Sequence, residues 1–139
     1  MRNTNCCFCE KGEELARLGK YVCTLGVSDL YLCREQSYPG RCMVVFRGHA
    51  ADLTELTDGE RDGFFYDVSR AAKALQGAFQ PDKLNYGIFD DEGDHLHVHL
   101  VPKYQDGMDW GGTFALNPGK RYLQEDEYTV LAEMIKAGL

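Results

Sequence analysis

Apolar residues recur along this chain with two periods, and each change of period marks a new element. From Asp58 to Phe79 they fall at Phe64, Phe65, Val68, Ala71, Ala72, Leu75, Ala78 and Phe79, the 3.6-residue stripe of an amphipathic helix. Thr57 and Glu60 have capping-box spacing at its start and Pro81 blocks its continuation, so a helix is predicted over Asp58–Phe79. Elsewhere the apolar runs are short and rich in β-branched and aromatic residues. Tyr21–Leu25, Asp29–Arg34 and Arg41–Arg47 read as strands, the third with an apolar middle that implies burial on both faces. Ser37-Tyr-Pro-Gly40 reads as a turn. Leu84–Phe89 and His95–Lys103 read as a hairpin around the acidic turn Asp90-Asp-Glu-Gly-Asp94. Residues 1–12 read as a lead-in loop, Glu13–Leu18 as one or two helical turns, and 107–118 as a Gly-rich aromatic loop. A last helix is predicted over about Gln124–Ala137, with Tyr128, Leu131, Ala132 and Ile135 on one face. This order predicts an α+β fold, an antiparallel sheet packed by one long helix, with a C-terminal helix. One domain is expected over residues 1–139, its core at about 6–104 and its C-terminal loop and helix at 105–139.

Composition narrows the function classes. The 139 residues are 44% apolar and 27% charged, an ordinary globular balance, with a formal net charge of −7. So acidic a chain is poorly suited to neutralising nucleic-acid phosphates or to docking on an anionic membrane. No run approaches the roughly 18 apolar residues of a membrane span, and the first residues contain no apolar signal core. The expectation is a cytoplasmic protein whose six cysteines are reduced thiols. Cys23, Cys33 and Cys42 sit in apolar runs and read as small buried hydrophobes, whereas Cys6-Cys7-Phe8-Cys9 has metal-ligand spacing.

Three of the four histidines lie in His95-Leu-His-Val-His-Leu-Val-Pro102. On a strand, His95, His97 and His99 share one face, about 6–7 Å apart, while Leu96, Val98 and Leu100 pack on the other. The row could be the solvated face of an amphipathic strand, a zinc cluster, or a catalytic array. Ligands at i and i+4 of a strand lie about 13 Å apart, so the whole row cannot hold one tetrahedral ion. Spacing favours an array in which one neutral imidazole attacks phosphorus and its neighbours manage protons and phosphoryl charge.

The His95–Pro102 segment resembles the signature of the histidine triad (HIT) family, alternating histidines and apolar residues with a trailing proline. Gly40-Arg-Cys-Met-Val-Val-Phe-Arg-Gly-His49 is similar to a second block of that family, and Cys6-x-x-Cys9 to the N-terminus of its metal-bearing members. The stretches around Leu84-Asn-Tyr-Gly and Trp110-Gly-Gly-Thr-Phe look like a bacterial branch. The resemblance implies the antiparallel sheet with one long helix, usually as a homodimer. It also implies a nucleotide substrate, with cleavage of a nucleoside phosphate at its α-phosphate through a nucleotidyl-histidine intermediate. The leaving group would be an amine, an acyl phosphate or the rest of a dinucleoside polyphosphate. By position His97 would be the nucleophile, its other ring nitrogen bonded to a backbone carbonyl. His99 would bind phosphoryl oxygens and His95 would support or orient.

Two departures bear on the site. Relatives often carry phosphate-binding donors before the first histidine, where this chain has Glu92-Gly93-Asp94. Arg41 stands where relatives often have histidine, and Phe46-Arg47 where they have Pro-Lys. Arg41 is taken as a substrate-binding residue, and Asp94 as a turn residue. In metal-bearing relatives the ligands that complete the two-cysteine pair are a histidine like His49 and the first triad histidine. Cys6, Cys9, His49 and His95 would then hold a structural zinc, with Cys7 a bystander and no organic cofactor implied. The alternatives are a nucleotide-binding or sensor module with little turnover and a hydrolase using the triad to ligate a catalytic zinc.

Overall fold

The computed structural model of the chain describes residues 6–89, Asp91 and residues 93–139. The elements in order are α1 (Cys7–Glu10), α2 (Glu13–Leu18), β1 (Gly19–Thr24), β2 (Ser28–Cys33), β3 (Cys42–Phe46), α3 (Asp58–Phe79), β4 (Lys83–Gly87), β5 (His97–Lys103) and α4 (Glu125–Ala137), with a short 3-10 turn at Leu53–Glu55. The α+β class and its antiparallel sheet agree with the sequence reading. Strand order is β1-β2-β3-β5-β4, every neighbouring pair antiparallel, so the hairpin β4–β5 joins β3 through its second strand.

Alternation along the central strands divides the molecule into two faces. Leu30, Leu32, Val44, Val98 and Leu100 point to one side, where Phe64, Val68, Ala71 and Leu75 of α3 and Tyr128, Ala132 and Ile135 of α4 cover them. Tyr31, Cys33, Met43 and Val45 point to the other side, where Leu15 of α2 and Phe8 of α1 pack on them. The thinner face also carries His97 and His99, paired across β3 with Val45 and Met43. Burial of β2 and β3 over their full lengths reflects this two-sided packing.

Helix α3 has the predicted bounds, and its capping box is formed, with Glu60 N donating to Thr57 Oγ1 (3.1 Å) and Thr57 N to Glu60 Oε1 (2.9 Å). Its stripe includes one polar member, Asp67, which is buried and accepts from Gly26 N, Val27 N and Ser28 Oγ to hold the β1–β2 turn. Arg47 braces the same turn by donating to the carbonyls of Leu25, Gly26 and Ser28, away from the histidines. No helix among the described residues is long and apolar enough to cross a membrane.

Two expectations need correction. The lead-in expected as loop carries the helical turn α1, closed by Glu10 N donating to Cys6 O (2.9 Å) and Lys11 N to Cys7 O (3.0 Å). Four residues are too few to show a helical period. The last strand begins at His97 rather than His95, because the chain bends at His95 and Leu96 N donates to Ala50 O (2.7 Å) outside the ladder.

Candidate active site

Each triad imidazole has its proton placed by a partner that can only accept or only donate. His97 Nδ1 lies 2.8 Å from the carbonyl oxygen of His95, which only accepts, so Nδ1 carries hydrogen and Nε2 of the neutral ring carries the lone pair. The backbone-carbonyl partner expected for this ring is therefore present. His95 Nε2 lies 2.6 Å from Phe46 O, so its lone pair is on Nδ1. His99 Nδ1 lies 3.2 Å from Arg41 Nη2, a donor only, so hydrogen on His99 sits at Nε2. Three histidines at one spacing thus alternate in tautomer along the row.

His95 leaves that row for a different cluster. Its Nδ1 is 3.3 Å from Cys6 Sγ, 3.5 Å from Cys9 Sγ and 3.3 Å from His49 Nδ1, and Cys9 Sγ is 3.3 Å from His49 Nδ1. All four donor atoms lie within 4.8 Å of one another. A tetrahedral zinc with ordinary bond lengths spans N···N edges of about 3.4 Å and N···S edges of about 3.6 Å. Two thiols and two imidazoles at these separations fit such an ion, and four ligands would close its coordination. Lys11, just after α1, pairs with Asp29 on β2 (3.1 Å) and ties the cysteine turn to the sheet.

At the other end of the row, His97 and His99 have ring centroids 5.0 Å apart, closer than the strand rise alone suggests. Phe8 lies 4.9 Å from the His97 ring and 5.4 Å from His95, so the cysteine turn also supplies an apolar wall beside His97. Beside His99 opens a cleft of about 130 Å³ lined by Arg17, Leu18, Glu35, Arg41, Met43 and Tyr122, among others. His99 is held down to about 3 from its ordinary 6.5, first by burial and then by the charges of Arg41 and His97. Arg41, on the cleft wall, is itself 2% exposed, with Nη1 donating to Ala115 O at 2.9 Å.

The residues singled out from sequence therefore divide into two groups. His97, His99 and Arg41 gather at the cleft end, and Cys6, Cys9, His49 and His95 gather as one cluster. Asp94 is exposed, and Glu92 lies outside the described residues. Phe114 is half-buried against Tyr38, Phe89 and His99, while Trp110 is exposed. Sequence reading missed Phe8, Tyr38 and Glu35. The apolar Phe8 between cysteines and the Tyr38 beside a turn proline were the available signals; Glu35 had none, since it accepts from the distant backbone of Lys120 and Arg121.

Known proteins share this fold. The chain is 27% identical over 120 residues to adenosine 5'-monophosphoramidase of Schizosaccharomyces pombe, covering 76% of this chain and 83% of that one. A histidine triad protein from Sinorhizobium meliloti superposes with a TM-score of 0.84 at 23% identity, over 92% of this chain and 95% of that one. A zinc-bound histidine triad family protein from Mycobacterium smegmatis shares the fold at a TM-score of 0.69 and 19% identity, over 96% and 91% of the two chains. The family model of the HIT domain matches residues 29–106, more than half of the sequence and including both histidine blocks, and the chain belongs to the HIT family.

Proposed function

We propose that this protein cleaves nucleoside phosphates at the α-phosphate through a covalent nucleotidyl-His97 intermediate. The observation that carries the reading is the 2.8 Å contact between His97 Nδ1 and the His95 carbonyl, which commits hydrogen to Nδ1 and leaves the lone pair of the neutral ring on Nε2. In the first step Nε2 attacks phosphorus, a P–N bond forms, and the bond from phosphorus to the leaving group breaks. The leaving group departs with its electron pair and takes up a proton. In the second step water attacks phosphorus, loses a proton, and releases His97 and the nucleotide. His99 donates Nε2–H to a non-bridging oxygen, where negative charge grows. The cleft beside His99, with Arg41 on its wall, would take the phosphoryl end of the nucleotide. Support also comes from the phosphoramidase relative.

Cys6, Cys9, His49 and His95 would hold a structural zinc, which when bound supplies a cross-link between the N-terminal turn and the start of β5. His95 then supports His97 through its own carbonyl. We assign the protein to the cytoplasm as a homodimer. β4 is an edge strand, and the exposed Tyr86 and Phe65 flank a groove between β4 and α3 suited to a second copy.

Turnover of AMP-amine, AMP-lysine and dinucleoside polyphosphates tests the reading and ranks the leaving groups. Hydrolysis of at least one with trapped label on His97 is the expected result. A second reading, a nucleotide-binding module with little turnover, is favoured by the exposed Asp94 carboxylate beside His95 and by Phe8 against the His97 ring. Tight nucleotide binding without turnover of any panel member would select it.

A further inference from the structure

Among the described residues two long cations are buried, and they end differently. Lys103 donates to the carbonyls of Asp109 (2.6 Å) and Gly112 (2.8 Å) and holds a loop. Arg41 donates to Ala115 O (2.9 Å) and to His99 Nδ1 (3.2 Å), and among the described residues it forms no ion pair with a carboxylate. A guanidinium has N–H donors only and keeps its charge at any ordinary pH. Unlike an imidazole at that place, it can neither accept from His99 nor switch with pH.

We propose that Arg41 is a positioning residue for phosphoryl transfer: its Nη2–H holds His99 as the neutral ring with hydrogen on Nε2, so that His99 meets the phosphoryl group as a fixed donor. This rests on the nucleotide reading above and deepens it. The backbone around Arg41 is built to aim the guanidinium. Gln36, 1% exposed, donates to the carbonyls of Cys33 (2.8 Å) and Arg41 (3.3 Å) and accepts from Gly40 N (2.8 Å). Gly40 has φ +90, and a Cβ there would fall 2.7 Å from the Phe79 ring, so the turn into Arg41 admits little else. Tyr38 accepts from Ala115 N (2.7 Å) and donates to Asp109, which brings the Ala115 carbonyl to the guanidinium. The rings of Phe114 and Tyr38 lie 5.1 Å and 5.9 Å from Arg41 Cζ.

Burial of a cation whose partners are a carbonyl, an imidazole, the Cys33 thiol and aromatic rings leaves its charge without a counter-ion among the described residues. The negative charge that grows on the phosphoryl group in the transition state, carried through the His99 ring, would offset it. The groups that face His99 are Arg41 before β3, His97 on β5 and, around the cleft, Cys33, Glu35, Arg17 and Tyr122. Burial holds the Cys33 thiol at about 12, so it stays neutral beside Arg41. The low value of His99 agrees with a ring that stays neutral through the physiological range.

The test is imidazole ¹⁵N NMR on the full chain from pH 5 to 9, with kinetics on Arg41→Met, Arg41→Lys and Arg41→Ala. In the wild type, His99 should show unprotonated Nδ1 and protonated Nε2 throughout. In Arg41→Met the ring should mix tautomers and begin to titrate, with kcat falling on the order of 10²-fold while KM changes little. Added guanidinium ion should restore part of kcat in Arg41→Ala, and Arg41→Lys should keep more activity than Arg41→Met. A wild-type His99 that carries hydrogen on Nδ1, or that titrates between pH 5 and 8, overturns the proposal even if no variant folds. So does an Arg41→Met protein with raised KM and unchanged kcat, which would make Arg41 a direct substrate contact. If the wild type turns over no nucleotide while His99 shows the Nε2–H tautomer, the nucleotide reading fails and the Arg41–His99 assignment stands.

Discussion

His95 and His99 start from equivalent positions, two residues either side of His97, and end in opposite chemistry. His95 gives its N–H to the Phe46 carbonyl and turns a lone pair toward two thiols and a second imidazole. His99 has its lone pair taken by Arg41 and is left with an N–H. The first is therefore an electron-pair donor suited to a cation, and the second a hydrogen-bond donor suited to an anion. An imidazole has two nitrogens, and the partner of the inner one decides what the outer one does. His97, between them, borrows the His95 carbonyl and so depends on the metal-side end for the tautomer it needs at the other.

The sharpest way to break this division is to remove His97. His97→Ala should lose on the order of 10³-fold or more in kcat, because the covalent route itself disappears. Rapid quench with labelled nucleotide should trap acid-labile label on the wild type and none on the variant. Retention of more than a tenth of wild-type turnover would show that the nucleophile lies elsewhere. Next come the two ends. His99→Ala should lose about 10²-fold in kcat and keep its metal, since it removes one donor to the transition state. His95→Ala should lose metal along with rate. Equal metal content in the two variants would erase the distinction drawn here.

Cys6→Ser and Cys9→Ser act first on the cation end. Zinc content should fall and Tm should drop with it, by roughly 10 °C, because metal binding to a four-ligand site is coupled to folding. Protein purified without chelators that holds no zinc, or a variant with full Tm and no metal, would remove the structural role. The smallest effect concerns pH. His99 sits at about 3 in the folded protein against an ordinary 6.5. Between those values the unfolded chain binds a proton that the folded chain refuses, so stability is full above pH 6.5 and falls as pH drops through the window. The slope is at most about 1.4 kcal/mol per pH unit. Urea midpoints at pH 7, 6 and 5 should fall more steeply for the wild type than for His99→Asn, and parallel lines would count against a buried neutral His99.

Local signals located α3 to the residue, because its stripe, capping box and following proline agree with one another. The unbroken apolar run of β3 is as local a signal for burial on both faces, although the strand is one residue shorter at each end than expected, and the parity that sets His97 and His99 on one side is local too. The family and the expected ligand quartet were readable because both reside in linear motifs. Other features depended on segments far apart in the chain. That β5 lies between β3 and β4 follows from cross-sheet pairing. That His95 turns to the cysteine cluster depends on a helical turn too short to leave a period. That Arg41 reaches His99, 58 residues on, depends on the Gly40 turn and on the loop that delivers the Ala115 carbonyl. A period of two or of 3.6 tells which way a side chain leaves its element. Which nitrogen it presents is set by the neighbour it meets there, and that neighbour is supplied by packing between distant parts of the chain.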